Sequence, residues 1–301
     1  MPEFIVGPLR AVSAAAVPYQ GPGDLGISSP LGFWGLRAFT NAIANSVSPV
    51  NIIRLRKSSD SFATIKDLPA TSTGTVNLSD PFFDGSTTYR VDRLYEQTGV
   101  VGLTMDTNNA TTPNPFFVPN GISSSRPSMT FNSATPQVQI TTNVTSTTYN
   151  YPITTTVFGR NVNTGARLNI VAWGATSISY DDNAGVFANN FIRIADSVGL
   201  QVSIPGPSPP AIDGSWSSII SVHSNTTNQA NIYRDGASVI TGTMGSTQLG
   251  SGLTICWGSY VGNAIPFNGS SLEYGVWGPN VTITPTQATQ LSQQQHAFWG
   301  V

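Results

Sequence analysis

Two carboxyl groups held close together can do nucleophilic and acid–base chemistry, one attacking while the other passes a proton. Acidic residues are scarce enough in this sequence to weigh individually. Asp181 and Asp182, adjacent in SYDDNAG, offer oxygen ligands for calcium. A hard cation takes roughly six or more oxygens, so an Asx-rich turn accounts for the pair more simply. Asp235 precedes Gly236 in YRDGA and reads as the corner of a hairpin. Glu273, in SLEYGVW, is expected to be exposed on an otherwise aromatic strand, with catalytic work as the minor alternative. None of these acids forms a convincing pair with another.

Thiol and imidazole chemistry are equally thin. Cys256 is the only cysteine, so no disulfide can form within the chain, and in LTICWG it reads as a small buried strand residue beside Trp257. A catalytic thiol would need a histidine, and neither His223 nor His296 is near it in sequence. The two histidines are also too scattered for a zinc site, so neither a metal nor any other cofactor is expected. Thirteen basic against 15 acidic residues give a net charge of -2, no field for drawing in nucleic acid or an anionic bilayer. No apolar run is long enough for membrane insertion, and MPEF lacks the basic start and apolar stretch of a secretory signal, so a soluble protein not exported by the usual route is expected.

The elements that would position these residues are mostly strands. Twenty-nine Gly and 21 Pro, with many Thr, Ser and Asn, favour turns and extended chain over long helices. About a dozen short segments have strand character, among them TYRVDRLY, SMTFNS, YPITTTVFG, RLNIVAWG, WSSIISVHS, LTICWGSY and SSLEYGVWG, and their Gly, Asn, Asp and Pro punctuation favours a two-sheet sandwich. Residues 1–27 read as an extended arm whose Phe4, Ile5, Val6 and Leu9 need cover from the domain or from a neighbouring subunit, and residues 28–301 as the sandwich. Within SSPLGFWGLRAFTNAIAN, a cap at Ser28 or Ser29, Pro30 and the spacing of Leu36, Phe39 and Ile43 predict a short amphipathic helix. At the other end Thr284, Pro285 and Gln287 form a capping-box signature, predicting a helix with Ala288, Leu291 and Phe298 on one face.

Two blocks carry a resemblance. From Trp216 to Trp277 the succession WSSIISVHS, NIYRDG, LTICWGS and FNGSSLEYGVWG, followed by QATQLSQQQHAFWG, resembles the concanavalin A-like lectin/glucanase sandwich and particularly laminin-G-like domains. The stretch GFWGLRAFTNAIANSVSPVNIIRLRKSSDSFATIKDL, with DRLYEQTGVVGLTMDTNNATTPNPFF, resembles the opening of the family 54 α-L-arabinofuranosidase catalytic domain. It keeps Ser58, Ser59, Asp60, Asp67, Tyr95, Gln97 and Gly99 but has Glu96 and Thr98 where the family pattern has Asp and Ser. Similar openings occur in bacteriophage and prophage proteins. The resemblance implies an all-β concanavalin A-like jelly-roll sandwich with an N-terminal arm, one short N-terminal helix and a C-terminal helix.

It also implies where chemistry would sit. The family nucleophile falls on Asn169 and its acid/base on Asn263, both amides without a carboxylate to attack or a proton of useful pKa to give, so catalysis is expected to be lost. Tyr260 and Asn263 lie on the turn that would border the ancestral cleft and are the expected glycan contacts, whereas Trp173, Trp216, Trp257 and Trp277 read more simply as core. Arg54, Arg56 and Lys57, three cations within four positions, read either as a solvated strand edge or as a structural lock in which Arg56 donates to Asp60 or to a loop carbonyl; the lock is preferred. The functional expectation is a non-enzymatic phage virion protein, decorating the capsid or associated with a tail or fibre. Its partners would be other virion proteins, further copies of itself and host surface polysaccharide. An arabinofuranosidase-like glycoside hydrolase is the alternative.

Overall fold

In the computed structural model the described residues are 18–85, 88–100, 104–106, 115–131, 140–143, 149–150, 153–161, 168–173, 176–181, 191–195, 201–203, 214–223, 229–243, 248–249, 254–257, 267 and 269–301. Through 140–143, 149–150, 168–173, 176–181, 191–195 and 201–203 the backbone alone is described.

The strands are β1 (Pro30–Gly35), β2 (Asn51–Lys57), β3 (Ile65–Pro69), β4 (Tyr89–Leu94), β5 (Met105–Asp106), β6 (Phe116–Ser123) and β7 (Arg126–Phe131). There follow β8 (Ile140–Asn143), β9 (Tyr149–Asn150), β10 (Ile153–Asn161), β11 (Leu168–Trp173), β12 (Thr176–Asp181), β13 (Phe191–Ala195) and β14 (Gln201–Ser203). The last are β15 (Ser217–His223), β16 (Gln229–Arg234), β17 (Ala237–Thr243), β18 (Gln248–Leu249), β19 (Thr254–Trp257) and β20 (Gly269–Trp277). Two α-helices, α1 (Asn41–Ala44) and α2 (Pro285–Trp299), and two short 3-10 helices at Pro22–Leu25 and Ser58–Asp60 complete the set among the described residues.

Apart from a two-stranded ribbon of β9 and β18, the pairings among the described strands, all antiparallel, resolve into two ladders. In the front ladder β20 is central: β1 and β7 share one of its edges, and β10, β15, β16 and β17 follow on the other. The back ladder runs β3, β2, β4, β5, β8, β19, β11, β12, β13 and β14. The β6–β7 hairpin joins them at one corner, where β6 pairs with the start of β4. Between the ladders lies one apolar cluster, with Ile53, Leu55, Val91 and Trp257 from the back and Leu272, Tyr274 and Val276 from the front. Trp257 meets Tyr274 edge to face at 6.1 Å, a contact across the sandwich. The expected all-β sandwich is therefore the observed fold.

A second, smaller cluster sits on the outer face of the front ladder, where Ala288 and Leu291 of α2 pack on Trp277, Ile220, Val222 and Phe39. The helix starts as its sequence predicts: Thr284 accepts from the Gln287 N–H, Gln287 reaches back to the Thr284 N–H, Pro285 opens the first turn, and Gly300 closes the last at φ 75°. Because α2 covers this face, every residue of β20 is buried on both sides.

The expected short N-terminal helix is present, but only at the end of the segment predicted for it. Pro30–Gly35 is strand β1, and only Asn41–Ala44 is helical, capped by Thr40 accepting from Ile43 N–H. Burial on both faces decides this: Leu31 and Trp34 enter the inter-ladder cluster while Phe33 points to the α2 side. A helix would have turned one of these faces to solvent. Gly32 is needed in this arrangement, since a Cβ there would lie 2.5 Å from the Trp34 indole folded over it. Residues 18–27, read with the arm, lie against the domain: Ile27 is buried in the outer cluster and Tyr19 packs against the inner one.

Candidate functional site

The basic cluster Arg54, Arg56 and Lys57 is a row of locks. Arg54 makes a two-pronged pair with Asp67, at 2.6 and 2.9 Å, and Tyr95 donates to the same carboxylate at 2.5 Å. These donors hold Asp67 below the usual carboxylate range, and Asp67 in turn raises Arg54 above the usual guanidinium value. Arg56 pairs with Asp92 and reaches the Phe62 carbonyl at 3.4 Å, and Lys57 pairs with Asp84 at 2.5 Å. The carboxylate seen on Arg56 is thus Asp92, from β4. The carbonyl half of the expected lock is present, while the Asp60 side chain lies outside the described residues.

Glu273 overturns its reading as exposed. It is fully buried beneath α2, where Arg37 Nη2 donates to Oε2 at 2.9 Å, Gln295 Nε2 to the same oxygen at 3.1 Å, and Trp299 Nε1 to Oε1 at 2.5 Å. Arg37 Nε lies 2.5 Å from Oε1 without hydrogen-bond geometry. Alternation along β20 sends Leu272 and Tyr274 into the sandwich and therefore Glu273 outward, where α2 covers it. The YEQTG turn positions its partner: Gln97 accepts from Phe39 N–H at 2.8 Å and donates to the Arg37 carbonyl at 3.1 Å. From the other side Thr75 Oγ1 donates to the Leu36 carbonyl at 2.9 Å, and the Tyr19 hydroxyl donates to that of Ala38.

Above this buried pair runs an open groove formed by three adjoining depressions of about 530, 700 and 560 Å³. The first two share Gln20, Gln294 and Ala297, and the second and third share Thr73 and Arg126. Its walls come from α2 (Gln290, Gln293, Gln294), the 18–25 segment (Tyr19, Gln20, Asp24), the 71–79 loop (Thr71, Ser72, Thr73, Asn77, Ser79) and the β6–β7 hairpin (Ser124, Ser125, Arg126). Gln294 ties two walls together, donating to the Gln20 and Gly21 carbonyls at 3.1 and 2.8 Å. Tyr19 lies edge-on to Phe298 at 5.5 Å, and burial pushes its phenol well above the ordinary value, so it stays a neutral donor. Gly74, at φ 86°, leaves room for the Tyr19 ring, which a Cβ would meet at 2.1 Å.

Beside apolar Pro18, Leu25, Val76, Leu78, Ala297 and Phe298, the described lining is amide, hydroxyl and guanidinium, with one described acid, Asp24, whose Oδ2 already accepts from the Gly21 and Asn41 N–H groups at 2.7 Å each. Such a surface can exchange hydrogen bonds with a polyhydroxylated ligand. Elsewhere Asp80, Asp84, Asp92, Asp106 and Asp235 are each paired with a cation, and Glu96 accepts from the Phe33, Thr98 and Gly99 N–H groups. Asp235 is the expected hairpin corner, at φ 51° before Gly236.

Of the other sequence-predicted residues, Phe4, Ile5, Val6, Leu9, Tyr260, Asn263 and Asp182 lie outside the described residues, as do the side chains of Asn169, Asp181, Trp173 and Cys256. Trp257 and Trp277 are core, and half-buried Trp216 stacks on Phe158 at 5.9 Å. No groove residue except Phe298 stood out in the sequence.

No family model and no curated protein matches the chain. Among solved structures it is similar to a variant of a family 54 glycoside hydrolase, an α-L-arabinofuranosidase soaked with 4-nitrophenyl α-L-arabinofuranoside (TM-score 0.69, 12% identity, 93% of this chain and 65% of that one). It is also similar to an arabinofuranosidase complexed with arabinofuranosyl-α-1,2-xylobiose, at TM-score 0.67, 12% identity and the same 93% and 65% coverage. The chain thus spans about 65% of the length of these proteins, and at such identity the likeness is one of fold.

Proposed function

We propose that this chain is a carbohydrate-binding β-sandwich that does not hydrolyse its ligand, carried on the surface of a bacteriophage particle. The observation that supports binding is the groove: amides and hydroxyls from four segments line one continuous trough, and its one acid among the described residues is already engaged by two backbone N–H groups. Two further points favour binding without hydrolysis. The two positions the resemblance assigns to catalysis are Asn169 and Asn263, and every described carboxylate whose side-chain contacts are known is committed to a cation or to backbone donors. The particle placement rests on the likeness of the Gly32–Leu68 block to phage and prophage openings.

Calorimetric titration of the purified protein with oligosaccharides tests the first part, and incubation with a chromogenic arabinofuranoside the second. Saturable binding without release of chromophore is expected. Release of chromophore that scales with protein and disappears on changing one carboxylate would overturn the non-catalytic reading. For the third part, particles assembled with a chain lacking residues 1–17 should fail to incorporate it, and normal incorporation would remove the arm as anchor.

A further inference from the structure

Three described arginines have no carboxylate partner among the described residues: Arg90, Arg126 and Arg160. Arg90 lies over Phe62 and Phe116, and Arg160 over Trp216, each with a buried Nε. Arg126 differs in facing the groove at the junction of two of its depressions. Its guanidinium sits 4.2 Å from the Phe298 ring centroid, and Nε donates to the Phe298 carbonyl at 2.8 Å. One edge and one face are therefore fixed, while the two terminal amino groups have no protein partner among the described residues and are not sealed from solvent. Arg37 also lies over Phe298, at 4.9 Å, so this ring serves as a pedestal for cations and is poorly placed to stack a sugar.

We propose that the groove selects an acidic saccharide, and that Arg126 is the residue that reads its carboxylate. The proposal rests on the carbohydrate-binding reading above and narrows it. A guanidinium held by its Nε and one face keeps little rotamer freedom to lose, and its remaining edge is a planar fork that matches a carboxylate. Burial lowers the pKa of Arg126 from its ordinary value, whereas Arg54 and Arg93, which have aspartate partners, move up. The charge of Arg126 is thus left uncompensated, and a ligand anion would restore the balance. Around it Thr73, Ser72, Ser124 and Gln294 supply neutral donors and acceptors for sugar hydroxyls.

The test is calorimetric titration, at low ionic strength, of the full chain with oligogalacturonate and with its fully methyl-esterified form of equal length. The acid should bind about tenfold or more tightly than the ester, because only the acid gains a charge-assisted pair. Arg126→Gln should abolish that difference, bringing acid binding down to the level of the ester, and Arg126→Lys should retain part of it. Equal affinity of the native protein for acid and ester overturns the acidic-ligand inference and leaves the carbohydrate reading standing. Full acid preference in a folded Arg126→Gln variant overturns the role of Arg126. Binding of neither form removes this inference, and the titration with other oligosaccharides then decides the carbohydrate reading separately. Should Arg126→Gln fail to fold, the acid-versus-ester comparison on the native protein decides.

Discussion

Two arginine–carboxylate sites in this molecule use the same chemistry in opposite surroundings. Arg37 and Glu273 meet under α2 with neither side chain reaching solvent, whereas Arg54 and Asp67 meet on the back ladder with side chains 26% and 35% exposed. In the exposed pair the geometry is two-pronged and water shares the field, so each partner can be solvated if the other is lost. In the buried pair the desolvation has already been incurred, and the remaining donors, Gln295 and Trp299, are held by the same helix. The Arg54–Asp67 pair ties neighbouring strands at the surface of the back ladder, while the buried pair couples the docking of α2 to the placement of the 35–39 segment.

The largest way to break that contrast is to orphan one buried charge. Arg37→Ala, leaving Glu273 unpaired, should cost about 3–5 kcal/mol in urea unfolding, whereas the double replacement Arg37→Met with Glu273→Leu should recover most of that loss. A double variant no better than the single would mean that the pair itself carries the stability. Next in size is Gly275→Ala, whose Cβ would lie 2.8 Å from the Trp277 ring over which α2 packs. Overpacking there should destabilise by about 1–3 kcal/mol without touching any charge, separating helix docking from electrostatics.

Smaller again is Arg54→Ala, expected to cost about 1 kcal/mol or less and to lose its effect in high salt, as an exposed pair should. Its pH signature is distinct. Asp67 titrates below its ordinary value, so its contribution is present above the normal carboxylate pKa and lost as pH falls through the lowered one. The smallest effect concerns His296 Nε2, 2.9 Å from Asp235, which raises the His296 pKa. That contribution is complete below about pH 6.5 and disappears as pH climbs through the raised value. His296→Gln should therefore lower stability by roughly a few tenths of a kcal/mol near pH 6 and by nothing near pH 9.

The legible parts of the sequence were those set by local chemistry. The α2 cap, the Asp235–Gly236 corner and the strand segments of both ladders are written in capping, turn and β-branched residues that act over a few positions. The 28–45 segment misled because Leu36, Phe39 and Ile43 mimic helical spacing, while the deciding fact, burial of Phe33 and Trp34 on opposite faces, depends on β20 from the other end of the chain. Glu273 misled for the same reason, since nothing near it in sequence announces Arg37 or Trp299. The groove was illegible: its four walls are ordinary Gln, Ser and Thr residues from distant segments, and Arg126 gains meaning only beside Phe298.

The central place of β20 has a consequence for how fast this chain can fold. Its edges are occupied by β1, β7 and β10, so Gly35 must find Glu273 and Phe131 must find Gly269 before the front ladder closes. Pairings that span so much of the chain are entropically costly to initiate, which places this protein among slow folders. Until residues 269–277 arrive, three strands wait with open hydrogen-bonding edges. High protein concentration during refolding should therefore divert chains into aggregates, and the surviving yield is governed by how soon one strand is inserted.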